Sequence, residues 1–416
     1  MLTKTLRIPR ERSEPGREEA IAPEARIAGI RPSSPSEERG ERAERGARRA
    51  LRMRRILLAF TFASLAGVFP SFAAAVEPRV LLVGVWPNRL RFFDESTEEV
   101  VGEMQLRYGA VTNVFGSDRT SDYRRFFFVT DRMEAVEVVD IASKTVVDEV
   151  KLSSPERRVR MYGAAPDAAG KVLYITVEAV GMEVDRFLPE TVDVVRYDLE
   201  SHRLLDSFPL PPEIEVLGLP PLLRPAPDGK TLYVLSQNIY VLDIETHQIV
   251  DKIDLSKARA PGYTAPGLGF SPFEASPGIL YGFYRSPDPI LNKTMFGITR
   301  VDLERREVTS FDVSTDLKVE WFTLSPDAKR AYGGMDDMVA VDLEARTLLV
   351  RKEGVERGRQ NTAMVVSSDG TKLFVGGVGP LIHVYDAKTL EPLRQIHAGG
   401  DIMNPPQSLP RSIFGK

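Results

Sequence analysis

From residue 80 onward, short runs of alternating apolar and polar residues recur, each closing on an aromatic or aliphatic residue followed by Asp. The period-two alternation is that of half-buried strands. The closing pair appears as Phe93-Asp94, Val139-Asp140, Tyr197-Asp198, Leu242-Asp243, Val301-Asp302, Val341-Asp342 and Tyr385-Asp386. Successive Asp residues lie 46, 58, 45, 59, 40 and 44 positions apart, so one supersecondary unit is repeated.

A second anchor precedes most of these runs: a turn, then a strand centred on an aromatic. Pro227-Asp228-Gly229-Lys230-Thr231-Leu232-Tyr233-Val234 is the cleanest copy, with Ser325-Pro326-Asp327 before Tyr332 and Ser368-Asp369-Gly370 before Phe374 as others. Pro presets φ, Asp bonds its own backbone, and Gly supplies the positive φ of a tight turn. The Asp-terminated run is the hairpin partner of that strand, and segments such as Ile249–Ile253 read as polar-edged outer strands. Four short strands at this period define a propeller blade. The sequence therefore predicts an all-β fold over 78–416: a seven-bladed β-propeller of four-stranded antiparallel blades. Val80–Val85 reads as the second strand of blade one, which leaves Pro406–Phe414 to supply the missing inner strand and close the ring. Recurrence in every blade marks the anchor Asp residues as turn formers rather than metal ligands, and Asp336-Asp337 reads as a surface turn.

Lettering the strands A to D from centre to rim, A–B and C–D turns share one face of a propeller, and B–C and D–A connections share the other. The extra length falls on the second face, in Glu178–Asp193, Pro209–Leu223, Ser256–Gly267 and Tyr284–Gly297, which belong to blades three to five. These segments read as long loops, and long loops on a compact scaffold carry function. Arg186, Phe187, Tyr263, Arg285 and Asp288, with Trp86 in the first B–C loop, are the candidate partner or cavity residues, since Arg and aromatics are enriched at interaction hot spots.

Composition narrows the chemistry. The chain has no Cys, which excludes disulfides, a Cys nucleophile, thiolate metal sites, c-type haem attachment and any quinone cross-linked through a Cys of this chain. Residues 1–52 hold twelve Arg, one Lys and nine Glu without an aromatic, and read as a disordered or mis-annotated upstream extension. Met53-Arg54-Arg55, the apolar run Ile56–Phe69 and Ala73-Ala74-Ala75 have the form of a signal peptide over 53–75, cleaved after Ala75. An uncleaved anchor with a cytoplasmic tail is the alternative. On the first reading the mature chain is periplasmic and has no membrane span. It also keeps 40 basic against 50 acidic residues, with no Lys/Arg block suited to nucleic acid.

The four His do not converge: His202 and His247 fall in C–D turns, His383 in strand C and His397 at the end of strand D. A three-ligand metal site or a Ser-His-Asp triad needs such convergence. No catalytic, cofactor-binding or metal-binding residue is assigned to this chain.

Gly262-Tyr263-Thr264-Ala265-Pro266, the run Val301-Asp302-Leu303 followed by Asp316-Leu317 and Trp321-Phe322-Thr323, and the stretch from Leu373-Phe374-Val375-Gly376-Gly377 to Gly399-Gly400-Asp401 carry a resemblance. Over 78–416 the chain resembles the β subunit of quinohaemoprotein amine dehydrogenase and, more distantly, propellers of the YVTN type. The resemblance implies a non-catalytic subunit of a complex that deaminates primary amines oxidatively. Its partners would be a small subunit bearing cysteine tryptophylquinone and a two-haem cytochrome c subunit, with no cofactor on this chain. A stand-alone periplasmic binding or scaffold propeller is the alternative, and a lactonase-type propeller hydrolase a third reading.

Overall fold

Each recurrence of the Asp-terminated run becomes one antiparallel sheet. The computed structural model describes residues 77–109, 119–216, 218, 220–257, 268, 273–288, 290–353, 363–377 and 379–415. The extension and signal peptide read over 1–75 lie outside the described residues, as does Tyr263. The chain divides into Met1–Phe72 and Ala73–Lys416, and the fold is that of the second unit.

Blade one holds β1 (Arg79–Val85), β2 (Arg89–Asp94) and β3 (Val100–Gln105), and blade two holds β4 (Arg125–Thr130), β5 (Ala135–Asp140) and β6 (Thr145–Lys151). Blade three is built from β7 (Arg157–Pro166), β8 (Val172–Met182), β9 (Phe187–Asp198) and β10 (Arg203–Pro209). Blade four follows with β11 (Leu222–Pro225), β12 (Thr231–Leu235), β13 (Ile239–Asp243) and β14 (Ile249–Ile253). Blade five comprises β15 (Phe273–Ser276), β16 (Ile279–Asp288), β17 (Lys293–Asp302) and β18 (Glu307–Thr315). Blade six has β19 (Val319–Leu324), β20 (Arg330–Met335), β21 (Met338–Asp342) and β22 (Thr347–Lys352). Blade seven has β23 (Ala363–Val366), β24 (Lys372–Gly376), β25 (Leu381–Asp386) and β26 (Pro392–His397), and β27 (Gln407–Pro410) ends the sequence of strands. Blade two shows three paired strands among the described residues, with an Arg119–Phe126 bridge on the inner side of β4. The seven-bladed propeller expected from the sequence is the fold observed.

β27 pairs antiparallel with β1, Val80 opposite Leu409, and so serves as the inner strand of blade one. The closing segment is tied further along its length. Met403 N–H donates to the Gly84 carbonyl at 2.9 Å and Trp86 N–H to the Asp401 carbonyl at 2.8 Å. Asn404, 3% exposed, accepts the Gly84 N–H on its side-chain oxygen, and Arg411 pairs with Asp94.

Both faces of a blade are apolar, so each must be covered by a neighbour. Seven hydrophobic clusters do this among the described residues, one for each seam. Phe92 and Phe128 meet between blades one and two, Val138 and Ile175 between two and three, and Tyr174 and Leu242 between three and four. Ile239 and Leu280, Phe296 and Phe322, and Tyr332 and Leu373 fill the next three seams. Val83 and Phe374 fill the seventh, between blades seven and one.

The anchor Asp residues fold the C–D turns. Asp243 accepts the backbone N–H groups of Glu245 (3.1 Å) and Thr246 (2.8 Å) and the Thr246 hydroxyl (2.9 Å). Asp94, Asp140, Asp198, Asp302, Asp342 and Asp386 each accept at least one N–H from their own turn in the same way. At three of these turns the hydrogen bonds favour the ionised form. Those from Ser201, Thr246 and Thr389 hold Asp198, Asp243 and Asp386 below the usual carboxylate range. Four places after each Asp stands a residue in the left-handed region: Glu98, Lys144, His202, His247, Arg306, Arg346 and Leu390, with φ between 55° and 62°.

Each of these seven residues reaches the outer strand of the preceding blade. His202 Nδ1 lies 2.9 Å from Asp148, and His247 stacks on Phe208 with ring centroids 3.8 Å apart, beside Asp206. Arg306 pairs with Asp251, and Glu98 pairs with Arg394. The Arg346 guanidinium lies 5.5 Å from the Phe311 ring centre, and Leu390 joins a cluster with Val350. The Lys144 ammonium lies where a Cβ on Gly102 would come within 2.7 Å of it. A single turn geometry therefore also builds a girdle of seven contacts around the rim.

At the closing seam Glu98 meets Lys372 at 2.7 Å as well as Arg394, and its side chain is 6% exposed. Burial pushes this carboxyl up, but the hydrogen bonds and charges of Arg394 and Lys372 outweigh burial and hold it below the usual range. A depressed folded-state pKa gives stability that is present above the unfolded value, near 4.3, and is lost as pH falls through the folded one. Glu98→Gln is expected to lower unfolding free energy at pH 7 by about 1–3 kcal/mol and to flatten its decline in acid, read by urea titrations at pH 7 and pH 3.5.

The A–B turns use the same device, with Gly170, Gly229, Gly278 and Gly370 at positive φ, but blade six places Ala328 there at 52°. A left-handed Ala is strained by about 1–2 kcal/mol, partly offset by the chain entropy that Gly loses on folding. Ala328→Gly is expected to stabilise the protein by about 0.5–1 kcal/mol, measured by the same titrations.

Candidate functional site

Strand B of every blade runs from the A–B face to the B–C face, so the length of each B–C hairpin sets how far that blade rises. In blade three the ladder runs from Val172 to Met182, in blade five from Ile279 to Asp288, and in blade four only from Thr231 to Leu235. At about 3.4 Å per residue the first two rise roughly 15–20 Å beyond blade four. The segments expected as long loops at Glu178–Asp193 and Tyr284–Gly297 are thus paired ribbons. Backbone hydrogen bonding extends the hairpins where the side-chain pattern gives no apolar alternation. Two raised blades flank a low one, so the B–C hairpins of blades three to five form a saddle, while the D–A segment 258–267 on the same face lies outside the described residues.

Alternation along the strands shows which side chains line the saddle. Val177 and Ala179 pack toward blade two, so Glu178, Val180 and Met182 face blade four, on the side of Thr176, whose hydroxyl donates to the Pro221 carbonyl at 2.8 Å. Phe187 pairs directly with Met182 and shares that face. On blade five Phe283 packs toward blade six, which turns Ser286 and Asp288 toward blade four, with Met295 and Lys293 as their cross-strand partners.

The tips are apolar and open. Phe187 is 70% exposed, Ile290 86% and Val184 fully exposed, with Met182, Leu188 and Leu291 beside them. A soluble surface scatters such residues singly, and clusters of them mark contact sites.

The expected site residues divide by role. Arg186 bonds Glu183 across the blade-three turn at 2.6 Å, and Asp288 accepts the N–H groups of Ile290 (2.9 Å) and Leu291 (3.0 Å), fixing the blade-five turn. Arg285 faces away from the saddle, donating to the Val319 carbonyl (2.9 Å) and Glu320 (3.0 Å) of blade six. Trp86, 51% exposed, sits in the blade-one turn, two blades from the nearer raised hairpin. Phe187 is the described candidate that presents an exposed apolar side chain at a raised tip. Met182, Val184, Ile290 and Leu291 are tip residues that the sequence reading passed over. Their signal is an apolar residue at the turn of a hairpin, where polar residues are the rule.

Other polar groups on this face belong to the scaffold. Glu137, fully buried, accepts the N–H groups of Arg107 (2.8 Å) and Tyr108 (3.1 Å) and the Thr130 hydroxyl (3.0 Å). Burial pushes its carboxyl up against those bonds. Asp337 is not the surface turn residue expected: it is 3% exposed, accepts the Lys318 N–H at 3.1 Å and pairs with Arg351 at 3.0 Å. Asn238 likewise accepts the Leu255 N–H at 2.8 Å. All three fasten a D–A connection to a neighbouring blade, which explains why they are buried and polar. His383 is buried in β25, and His397 accepts the Gly399 N–H at 3.0 Å. Among the described residues no group of three or more His, Asp and Glu could hold a metal ion, and no helix is long and apolar enough to cross a membrane.

The fold is that of a seven-bladed propeller, with the B–C hairpins of blades three and five extended beyond that of blade four. No known family's profile matches the chain, and no curated protein sequence does. Among solved structures it is similar to the dihydro-heme d1 dehydrogenase NirN in complex with DHE, at 15% identity over 83% of this chain and 77% of that one, with a TM-score of 0.49. It is also similar to a functionally unknown protein from Desulfotomaculum acetoxidans DSM 771, at 15% identity over 79% and 99% of the two chains, TM-score 0.47. A third is Kuenenia stuttgartiensis hydrazine synthase, at 16% identity over 70% and 86%, TM-score 0.45.

Because the tip side chains touch little of their own fold, Phe187→Ser and Ile290→Ser are each expected to change unfolding free energy by under about 0.5 kcal/mol. A buried control, Phe374→Ala, should cost about 3–5 kcal/mol, all three read by denaturant titration.

Proposed function

We propose that this chain is the non-catalytic propeller subunit of a periplasmic quinohaemoprotein amine dehydrogenase, and that it holds its partners on the raised face of blades three to five. The observation that carries this is the pair of ribbons, which rise well above the blade between them and end in turns with exposed apolar side chains. The quoted motifs support the amine dehydrogenase assignment. With no Cys in the chain, neither a thioether-bound haem nor a cysteine-derived quinone can be attached here, so on this reading both groups sit on the partner subunits. There the quinone takes electrons from a primary amine and haem carries them onward. This chain supplies position: a rigid wall against which small redox subunits are held.

The test is to recover a C-terminally tagged chain from the periplasm of its own host. The expected product shows haem absorption bands and a small chain that stains for quinone redox cycling, and it oxidises primary amines. A colourless single chain removes the reading and leaves a stand-alone binding propeller.

A further inference from the structure

We infer that the outer edge of blade five is a strand-addition site, where an extended segment of another protein pairs with β18 along Glu307–Asp312 and sets Lys or Arg opposite both ends. This surface lies on the rim, and the inference does not depend on the docking reading above.

Every blade ends in a strand with one unpaired edge. Such an edge is a template for a further strand unless something blunts it. In six blades the same device does so. Seven places after the anchor Asp, one exposed residue is squeezed out of the ladder as a β-bulge: Val101, Val147, Leu205, Val250, Leu349 and Leu393. A bulge bends and twists the strand and disrupts its edge. The regular pairing beyond it is short, as in Asp148–Lys151 and Arg394–His397. Most of these runs also carry Lys, Arg or Pro, the other guards of an edge.

Blade five lacks the device. Thr309, seven places after Asp302, stays in register opposite Arg300, and β18 pairs with β17 without a break from Glu307 to Asp312. Its bulge comes later, at Val313. The unbroken run, Glu307-Val308-Thr309-Ser310-Phe311-Asp312, holds no Lys, Arg or Pro. Its inner side is fixed: the Ser310 and Thr299 hydroxyls lie 2.8 Å apart, and Phe311 packs against the cluster between blades five and six. The edge is therefore ready-made, and it starts at a C–D turn, on the face opposite the D–A connections.

Charge chooses the occupant. A second copy paired antiparallel over the same run would set Glu307 opposite Asp312 at both ends, and like charges directly opposite are destabilising. Glu307 is exposed and has no ion-pair partner among the described residues, while Asp312 accepts the Tyr284 hydroxyl. Of the nearby arginines, Arg300 is paired with Asp302, Arg306 with Asp251, and Arg346 lies over the Phe311 ring. Arg305 stands in the turn, outside the run. The edge thus disfavours its own kind and suits a foreign strand with cations at the two end positions. Main-chain hydrogen bonds would supply the affinity and those two side chains the selectivity.

The probe is a fluorophore-labelled peptide, Lys-Val-Thr-Thr-Val-Lys flanked by glycines, with Glu-Val-Thr-Thr-Val-Glu as its counterpart. Both are titrated against the purified chain by fluorescence anisotropy. The basic peptide is expected to bind and the acidic one to bind about tenfold more weakly or worse. Hydrogen exchange should slow at Val308–Phe311 on binding and stay unchanged at Arg394–His397. A Leu inserted between Val308 and Thr309 gives blade five the bulge of its neighbours and should abolish binding. Thr309→Lys replaces the insertion if urea titration shows that it unfolds the ring. No saturable binding of the basic peptide, protection elsewhere, or binding that survives the edge variants overturns the site. Equal binding of the two peptides overturns the charge rule. A dimer in sedimentation analysis that the edge variants abolish gives the edge to a second copy and overturns the foreign strand.

Discussion

The seventh seam is the constraint on which the rest of the structure depends. A propeller blade is a small sheet with two apolar faces, and neither can be left in water. A row of seven blades would leave one open face at each end. Pairing β27 with β1 brings blade seven against blade one, and the Val83–Phe374 cluster then covers the last two faces at once. Burying an aromatic or aliphatic side chain is worth about 1.5–3 kcal/mol, so a seam of nine such residues is a large share of a protein's net stability. Opening it exposes both blades together, which makes closure cooperative. The polar ties along the same seam, from Arg411 to Asp94 and from Lys372 and Arg394 to Glu98, fix the register of the closing strand rather than supplying the bulk of that energy.

The rim girdle shows how a local rule can serve a global shape. The anchor Asp bends the chain by hydrogen-bonding its own turn, and the bend brings the fourth residue onward into the left-handed region whatever its identity. That residue then points at the outer strand of the preceding blade. Since the backbone fixes the direction, chemistry at this position is free to vary, and it does: acid, base, imidazole and aliphatic side chains all occupy it. Each finds a matching partner on that outer strand, a carboxylate for His202 and Arg306, a ring for Arg346, a cation for Glu98. His202 and His247, which on sequence resemble stray candidates for chemistry, are two members of this set.

Blade number, strand order and ring closure were legible because they rest on local turn chemistry repeated seven times. What escaped was of two kinds. The ribbons at Glu178–Asp193 and Tyr284–Gly297 are held by main-chain pairing and carry no regular alternation of apolar and polar residues to announce them as strands. The charged residues there looked functional because they interrupt the repeat. Arg186 and Asp288 instead shape their own turns, and Arg285 braces blade six, leaving the apolar neighbours to form the exposed surface. Asp336 and Asp337 are adjacent and chemically identical, yet Asp337 is buried because strand polarity points it at Lys318 and Arg351. That neighbourhood is assembled within blade six by groups 19 and 14 positions away, which the local pattern around Asp337 does not reveal.

On the proposed docking reading, ribbons rather than loops change the energetics of what this face can hold. A flexible loop must be ordered when it binds, at about 0.5–1.5 kcal/mol for each immobilised side chain. A paired hairpin rooted in a closed ring has already paid that entropy during folding. Its own turn hydrogen bonds, Asp288 to Ile290 and Leu291 on blade five and Arg186 to Glu183 on blade three, keep the tips in one shape.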